Sequence, residues 1–308
     1  MLVFFIHGVA TRHDKYAFEL IEKIRDDFDK RKQTKPYFCC SQWGGVLENT
    51  PPLWNWVQQD LNNFCNKSKI DLGDVFQYSQ YREFFINKFF GDMFTYLNTE
   101  DGKEIRKIIA MQLFEYLKKH PLEQELHIIA HSLGGVILYD ILFSDKYGVD
   151  DPAFYIRSMI KGLSVSNDQP KVYLRSITTM GSPILLFNLM LGIPPKNLKR
   201  FASRYLKSPL RWINLIHASD VFAYPISASL NIDSSCNLFF RDKFIASHNL
   251  MKKISQPFSN LAGLSMAKGL TSSHTSYWNR SRVARLITAN LLGDCEFIDS
   301  VSPYRKHY

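Results

Sequence analysis

Ser132 is the residue whose surroundings best suit covalent chemistry. It follows a short apolar run at 126–130, which predicts a buried strand, and precedes an apolar run at 136–142 with helical spacing. A serine at such a sharp strand-to-helix turn projects its hydroxyl from the tip of the turn, where it can act as a nucleophile. The turn needs small neighbours because the backbone folds back on itself, and the sequence supplies them at Ala130, Gly134 and Gly135.

A serine hydroxyl becomes an effective nucleophile only when a base removes its proton and a third group orients that base. The best candidate for the orienting acid is Asp220, which lies four residues beyond a predicted strand at 211–216. Asp233 and Asp242 also follow possible strands, and an aspartate in an exposed loop is ordinarily just solvated. We favour Asp220 and keep the two others as alternatives.

The candidate base is His274, which directly precedes a long amphipathic helix predicted at 278–292. His248 is its rival, because it follows soon after a weaker predicted strand. Two further histidines flank the serine in the expected fold, where such residues more often pack or hydrogen-bond than titrate: His7 and His131.

The elements that must position these side chains alternate between strand and helix. On the helix predicted at 16–30, Phe18, Ile21, Ile24 and Phe28 recur at three- and four-residue steps, which predicts one buried face. Strands joined through helices predict a parallel sheet, because parallel neighbours need a crossover connection. The predicted strands are 2–6, 37–43, 126–130, 172–180, 211–216 and 237–240, and the further helices are 104–119, 136–142 and 278–292.

Two stretches interrupt this alternation, and we interpret them as insertions into a single domain of residues 1–308. Residues 46–100 contain Pro51-Pro52, two tryptophans and an aromatic stretch at 76–90, and they predict short helices. We favour helices packed on the sheet over a cap that shapes a pocket, since aromatics at helical spacing are usually core. Residues 144–170 predict a polar, irregular excursion.

Composition and charge restrict the class of protein. The chain of 308 residues is 45% hydrophobic with a net charge of +9, which indicates a globular protein that favours anionic partners. We find no nucleic-acid-binding motif and expect no nucleic-acid partner. The five cysteines have no metal-ligand spacing, which predicts reduced, buried thiols.

The sequence carries no sign of export or of a membrane span. The apolar run 2–6 has no basic segment before it and no small-residue cleavage site after it. No run approaches the roughly 18 apolar residues that cross a bilayer. We therefore expect a cytoplasmic protein.

One segment suggests peripheral contact with a membrane. Residues 196–211 hold six basic residues and no acidic one, and the apolar run 184–193 precedes them. Together, 184–211 could form an interfacial element that contacts anionic lipid. A solvated helix face is the plainer interpretation, and from the sequence alone we favour it.

The sequence resembles the lipase-like serine esterases of the α/β-hydrolase superfamily. The resemblance implies an α/β-hydrolase fold, with a mostly parallel sheet of about six strands flanked by helices and without the usual N-terminal hairpin. Ala130 replaces the first glycine of the usual Gly-x-Ser-x-Gly pattern, a mild departure since alanine is nearly as small. The motifs that carry the resemblance are Phe5-Ile6-His7-Gly8, Ala130-His131-Ser132-Leu133-Gly134-Gly135, Met180-Gly181-Ser182-Pro183, Asp220, and Ser273-His274 with Tyr277-Trp278.

The resemblance also implies a mechanism. The chain order Ser132, Asp220, His274 matches the family's order of nucleophile, acid and base. Ser132 would attack an acyl ester, His274 would accept its proton, and the backbone N–H groups of Val9 and Leu133 would form the oxyanion hole. This chemistry needs no metal or cofactor.

The expected substrate is a carboxylic ester, with a phospholipid or another acyl lipid among the candidates. The same three residues would serve a thioesterase or an amidase. A third alternative is a catalytically silent protein that binds lipid or a partner protein. The sequence leaves the acyl chain, the head group and the oligomeric state open.

Overall fold

The computed structural model describes residues 1–9, 11, 14–44, 53–71, 91–161, 170–204, 209–232, 237–245 and 272–301. Its strands are β1 (Leu2–Ile6), β2 (Tyr37–Cys40), β3 (Glu125–His131), β4 (Tyr173–Met180), β5 (Leu210–His217) and β6 (Leu238–Ile245). Its helices are α1 (Phe18–Lys30), α2 (Leu53–Ser68), α3 (Gly91–Leu97), α4 (Thr99–Lys119), α5 (Leu133–Phe143), α6 (Pro152–Ser158), α7 (Ile184–Leu191), α8 (Pro195–Ala202), α9 (Ser281–Leu292) and α10 (Cys295–Ser300). Short 3-10 helices cover Asp14–Ala17 and Ser276–Asn279.

The strands form one six-stranded sheet in the order β2-β1-β3-β4-β5-β6, and every pairing is parallel. The register places Ile6 of β1 beside Ala130 of β3, and Met180 of β4 beside Leu215 of β5. The carboxyl ends of these strands therefore meet at one edge of the sheet. Helices flank the sheet, which confirms the predicted fold class of a parallel α/β-hydrolase-type sheet.

Both faces of the sheet are covered, and β1 shows why. Leu2, Phe4 and Ile6 pack into the layer that holds α4 to α8, whereas Val3 and Phe5 pack into the layer of α1, α9 and α10. Successive side chains of a strand point to opposite faces, so a strand that is apolar at every position is buried on both sides.

Several predicted elements differ from the structure. Strand β2 ends at Cys40 instead of 43, and β6 extends to Ile245. Phe18 was expected on the buried face of α1 but is exposed, because the regular helix begins at that residue and Leu20 takes the inward position. The helix expected at 278–292 begins at Ser281, and α10 follows it.

The two predicted insertions are only partly described. Residues 53–68 form a longer helix than expected, the aromatic stretch 76–90 lies outside the described residues, and α6 gives the 144–170 excursion a regular helix that its polar sequence concealed. Pro152 at the helix start and the Asp151 side chain, which accepts from Ala153 N, nucleate that helix. The single-domain assignment stays a prediction.

The cysteines also differ from expectation. The described cysteines are free thiols but only partly buried, and Cys236 lies outside the described residues. The described cysteines are Cys39, Cys40, Cys65 and Cys295.

In the described part of the chain, no helix combines the length and the apolarity needed to cross a membrane.

Candidate active site

Ser132 lies between the last residue of β3 and the first residue of α5, at the edge where the strands end. Its backbone has φ 55° and ψ −128°, a left-handed conformation that a side chain makes costly. The surroundings hold it there: Ser132 N donates to Met180 O at 2.9 Å, and Ser182 Oγ donates to Ser132 O at 3.0 Å. The strain is the kind found where a fold must aim one side chain out of a turn.

Glycines surround this turn because the backbones approach too closely for a side chain. A Cβ added to Gly8 would stand 2.4 Å from Ser132 Cβ, and one added to Gly134 would stand 2.4 Å from His7 O. A Cβ on Gly135 would stand 2.3 Å from Ser182 Oγ. The motifs that carried the sequence resemblance are therefore packed against one another here.

His274 reaches the serine from the turn before the 3-10 helix Ser276–Asn279. Its Nε2 lies 2.7 Å from Ser132 Oγ, and its Nδ1 lies 3.0 Å from each carboxylate oxygen of Asp220. An ionised carboxylate only accepts, so Nδ1 carries the proton and Nε2 is left to accept from the serine hydroxyl. The fold thus joins three residues in one hydrogen-bonded chain.

Asp220 follows β5 by three residues, and three donors hold its carboxylate. Besides the Nδ1–H of His274, which both oxygens share, Phe222 N donates to Oδ1 at 3.1 Å and Tyr277 OH donates to Oδ2 at 2.9 Å. Burial by itself raises the pKa of Asp220, but the hydrogen bond and charge of His274, with the Phe222 and Tyr277 bonds, bring that pKa below its ordinary value. Asp220 is therefore ionised at neutral pH.

Tyr277 is one of the residues that carry the family resemblance, but the sequence alone did not indicate a role for it. Its hydroxyl accepts from His217 N at 2.7 Å, so its own proton is directed to Asp220. Burial raises the pKa of Tyr277 far above its ordinary value, which keeps this proton in place. A tyrosine three residues after the candidate histidine was a visible signal, but its partner could not be read from the sequence.

His131 and His7 are both buried beside the serine. His131 Nε2 donates to His274 O at 2.8 Å, and burial followed by the nearby charge of His274 lowers the pKa of His131 to about 3. His7 Nδ1 donates to Gly8 O at 2.7 Å, and its ring stacks on Trp43 with centroids 4.6 Å apart. These histidines hold the backbones of His274 and of the Gly8 turn.

Asp242, a rival for the acid, has other partners. Asp242 accepts from Asn214 Nδ2 at 2.7 Å and from the backbone N–H groups of Ile226 and Ser227, so it holds the loop after β5. Asp233 and His248 lie outside the described residues.

The two expected oxyanion donors are Leu133 and Val9. Leu133 is the first residue of α5, and the first N–H groups of a helix have no intrahelical acceptor. Val9 follows Gly8, whose backbone packs against the Ser132 side chain, and Val9 is partly buried. Among the described residues, no group of three or more His, Cys, Asp or Glu side chains is arranged to hold a metal ion.

Two solved structures show distant similarity to this chain. The chain is similar to a solved structure described as Est1E from Butyrivibrio proteoclasticus, with 10% identity over 88% of this chain and 85% of that chain, at a TM-score of 0.36. A second solved structure, an uncharacterized protein from Pseudomonas aeruginosa, gives 12% identity over 94% of this chain at a TM-score of 0.27, and the alignment spans 50% of that chain. No protein-family model matches the sequence, and no curated protein matches it. These alignments are too loose to bear on function.

Proposed function

We propose that this protein is a serine hydrolase that cleaves carboxylic esters through an acyl-enzyme. The observation that supports the proposal is the hydrogen-bonded chain from Ser132 Oγ through His274 to Asp220, with distances of 2.7 and 3.0 Å, at a strained strand-to-helix turn. Nothing in ordinary packing requires a serine in a left-handed conformation to meet a histidine that an ionised carboxylate orients.

In the first step, Ser132 Oγ forms a bond to the ester carbonyl carbon as its proton passes to His274 Nε2. The imidazolium that results is stabilised by Asp220, which stays ionised. The tetrahedral intermediate then expels the alcohol, which takes the proton from Nε2, and the acyl group remains on Ser132. The products of this half-reaction are the alcohol and an acyl-serine.

The negative charge on the carbonyl oxygen needs donors that are already in position. The backbone N–H groups of Leu133 and Val9 have this role in our proposal, since Leu133 directly follows Ser132 and Val9 directly follows Gly8, which packs against the Ser132 side chain. Fixed donors of this kind contribute about 10²–10³ in rate, because they need no reorganisation when the charge develops.

Water completes the cycle by the same route. His274 Nε2 takes a proton from water as the oxygen attacks the acyl-serine, and the collapse of the second intermediate returns that proton to Ser132 Oγ. The carboxylic acid leaves and the free enzyme is restored. The positions of His131 and Tyr277, bonded to His274 O and to Asp220, keep the base and the acid aligned through both steps.

A catalytically silent binding protein is the second candidate. The observation that favours it is the burial of the site: Ser132 is 1% exposed and His274 is 7% exposed. A substrate therefore needs an opening above the serine. The same site would also accept a thioester or an amide, which the choice of leaving group in an assay distinguishes.

The test is covalent labelling with a fluorescent fluorophosphonate, which reacts only with an activated serine. We expect wild-type protein to be labelled and Ser132→Ala to be blank. Absence of labelling in the wild-type protein would favour a catalytically silent binding protein.

The chain offers a matched control in a second buried serine–histidine pair. Ser176 Oγ lies 2.7 Å from His127 Nδ1, but no hydrogen-bond partner among the described residues meets His127 Nε2, so no carboxylate orients this histidine. Burial, followed by the charge of Arg211, lowers the pKa of His127 to about 3. We expect Ser176→Ala to be labelled as fully as wild type.

A series of nitrophenyl esters, matched thioesters and matched anilides then identifies the reaction. Faster turnover of the oxygen esters supports the proposal, and a preference for thioesters or anilides assigns the alternative leaving group. A maximum at long acyl chains would point to lipid substrates, and a maximum at short chains to small esters.

A further inference from the structure

Helix α7 (Ile184–Leu191) carries apolar side chains on the face that it shows to solvent. Leu186, Leu189 and Met190 are 43%, 84% and 64% exposed. Residues three and four apart share one side of a helix, so these three side chains form one continuous ridge. The opposite side of the helix is also apolar, and there Ile184 and Phe187 are buried in the core beside α5.

A ridge of this kind differs from the single apolar residues that are scattered over ordinary surfaces. Seven of the eight residues in α7 are apolar, and the polar one, Asn188, is used to fix the turn that follows. Asn188 Nδ2 donates to Ile193 O at 3.1 Å, and Ile193 N donates to Asn188 Oδ1 at 3.1 Å. The ridge is therefore held in a defined orientation towards the next helix.

That next helix, α8 (Pro195–Ala202), begins four residues after α7 ends and carries positive charge. It carries Lys196, Lys199 and Arg200, while Leu198 and Phe201 are buried beneath them. Arg200 forms an ion pair with Asp145, and the segment 196–211 contains no acidic residue of its own. An exposed apolar ridge with cations on its flank is complementary to an anionic bilayer, which offers an apolar interior beneath negative head groups.

We propose that α7 and α8 form a docking surface for an anionic phospholipid bilayer. Leu186, Leu189 and Met190 enter the head-group region, and the lysines of α8 contact lipid phosphates. This surface reverses the preference drawn from the sequence, where a solvated face was the plainer interpretation of the basic run. The reversal comes from the exposed ridge, since a solvated face does not present three large apolar side chains.

The surface is connected to the candidate active site. Helix α7 begins directly after the Gly181-Ser182-Pro183 turn, and Ser182 Oγ donates to the carbonyl of Ser132. Helix α7 therefore begins at the edge of the sheet where the serine lies. This part of the inference rests on the proposed function and names its substrate class, an ester presented at a lipid surface.

The test is sedimentation with vesicles, carried out on the Ser132→Ala protein so that no hydrolysis alters the lipid. We expect binding to vesicles of phosphatidylcholine with phosphatidylglycerol at low salt, weaker binding at high salt, and little binding to phosphatidylcholine alone. Leu189→Asp with Met190→Asp should abolish binding. Lys196→Gln with Lys199→Gln should weaken it by about 30-fold, since each basic residue near an anionic surface contributes roughly fivefold.

Two matched controls lie at the opposite edge of the sheet. Leu122 is 91% exposed in the turn before β3, and Leu122→Asp introduces one aspartate away from the ridge, for comparison with Leu189→Asp alone. Lys118→Gln with Lys119→Gln, at the end of α4, removes the same charge as the α8 variant. We expect both controls to bind vesicles as the parent does.

Equal binding to neutral and anionic vesicles, no binding at all, or equal loss in the control and ridge variants would overturn the proposal. A dimer in sedimentation velocity that the Leu189→Asp, Met190→Asp variant abolishes would also overturn it, because the ridge would then be covered by a second copy.

Activity separates this inference from the proposed function. When Ser132 is retained, the Leu189→Asp, Met190→Asp variant should hydrolyse a soluble short-chain ester at the wild-type rate. It should no longer hydrolyse ester embedded in vesicles. Vesicle binding without any fluorophosphonate labelling would refute the proposed hydrolase and leave the docking surface standing. Fluorophosphonate labelling without vesicle binding would refute the docking surface and leave the proposed hydrolase standing.

Discussion

The hydroxyl of Tyr277 provides a sharp test of how the candidate acid is held. It stands between His217 N, which donates to it at 2.7 Å, and Asp220 Oδ2, to which it donates at 2.9 Å. Tyr277→Phe removes one oxygen from a fully buried ring and leaves its packing in place. We expect this variant to fold, to remain labelled by fluorophosphonate at a reduced rate, and to turn over ester more slowly.

The magnitude follows from the bonds that disappear. A hydrogen bond to a charged group contributes about 1.5–3 kcal/mol. At about 1.4 kcal/mol for each factor of ten in rate, complete loss of that contribution in the transition state lowers kcat roughly 10- to 150-fold. The loss should fall on kcat and leave KM unchanged, because Tyr277 contacts the acid and Asp220 acts through His274.

The assay is steady-state turnover of a soluble nitrophenyl ester, with thermal unfolding measured on the same preparations. The matched control is Tyr139→Phe, which removes a buried hydroxyl that has no hydrogen-bond partner among the described residues. Tyr139 lies on α5, the helix that begins at Leu133, so the control also reports general disturbance of that helix. We expect Tyr139→Phe to keep wild-type kcat.

The pH profile separates positioning from simple loss of stability. The Tyr277 bond helps to hold the pKa of Asp220 below its ordinary value, so its removal raises that pKa. The acid limb of the pH profile of kcat/KM should therefore shift to higher pH in Tyr277→Phe and stay in place in Tyr139→Phe. Equal kcat and superimposed profiles for wild type and Tyr277→Phe would refute the reasoning.

Three further changes test the packing, the strain and the buried histidine. Gly8→Ala places a Cβ 2.4 Å from Ser132 Cβ and should abolish labelling, whereas Gly148→Ala, with no atom within 4 Å of the new Cβ, should leave labelling intact. Ser132→Gly should raise the free energy of urea unfolding by about 1 kcal/mol over Ser132→Ala, because glycine adopts φ 55° without strain. Since the pKa of His131 is about 3 in the folded protein and about 6.5 when unfolded, the unfolded chain binds the extra proton between these values. Below about pH 6.5 His131 should therefore lower the stability by up to about 1.4 kcal/mol per pH unit, and His127 and His217, whose pKa values are about 3 and about 4, should add slopes of the same sign. In urea unfolding, His131→Asn should reduce the total slope by the share of His131.

Each of these expectations has a clear contrary result. Full labelling of Gly8→Ala would mean that the Gly8 backbone does not approach the serine as described. Equal stability of the glycine and alanine variants at position 132 would mean that the backbone at this position is not strained. An unchanged slope below pH 6.5 in His131→Asn would mean that burial does not hold this histidine neutral.

The sequence predicted the central strands well because they are buried on both faces. Uninterrupted apolar runs such as 2–6 mark such strands, and the chain order of strand, helix and strand makes them parallel. Element ends were predicted less well, since capping and local geometry decide them. Helix α6 was missed because its stability comes from Pro152 and the Asp151 cap within a polar stretch.

For the site, the sequence determined which residues were candidates, because a small-residue turn after a buried strand has few uses. Contact between them was decided by the tertiary structure alone: Asp220 and His274 are 54 residues apart, and Ser132 and His274 are 142 apart. The parallel register of β3, β4 and β5 brings their carboxyl ends to one edge, and that register depends on the whole packed sheet.

The supporting bonds were likewise decided by the fold. The donation from His131 to His274 O and from Tyr277 to Asp220 joins residues whose types alone gave no reason to pair. The same holds for the ridge on α7. An apolar sequence predicts that a helix is buried, but it does not predict which face of the helix the core leaves exposed. Local sequence determines backbone conformation and the available chemistry, whereas long-range packing determines which groups meet and which remain exposed.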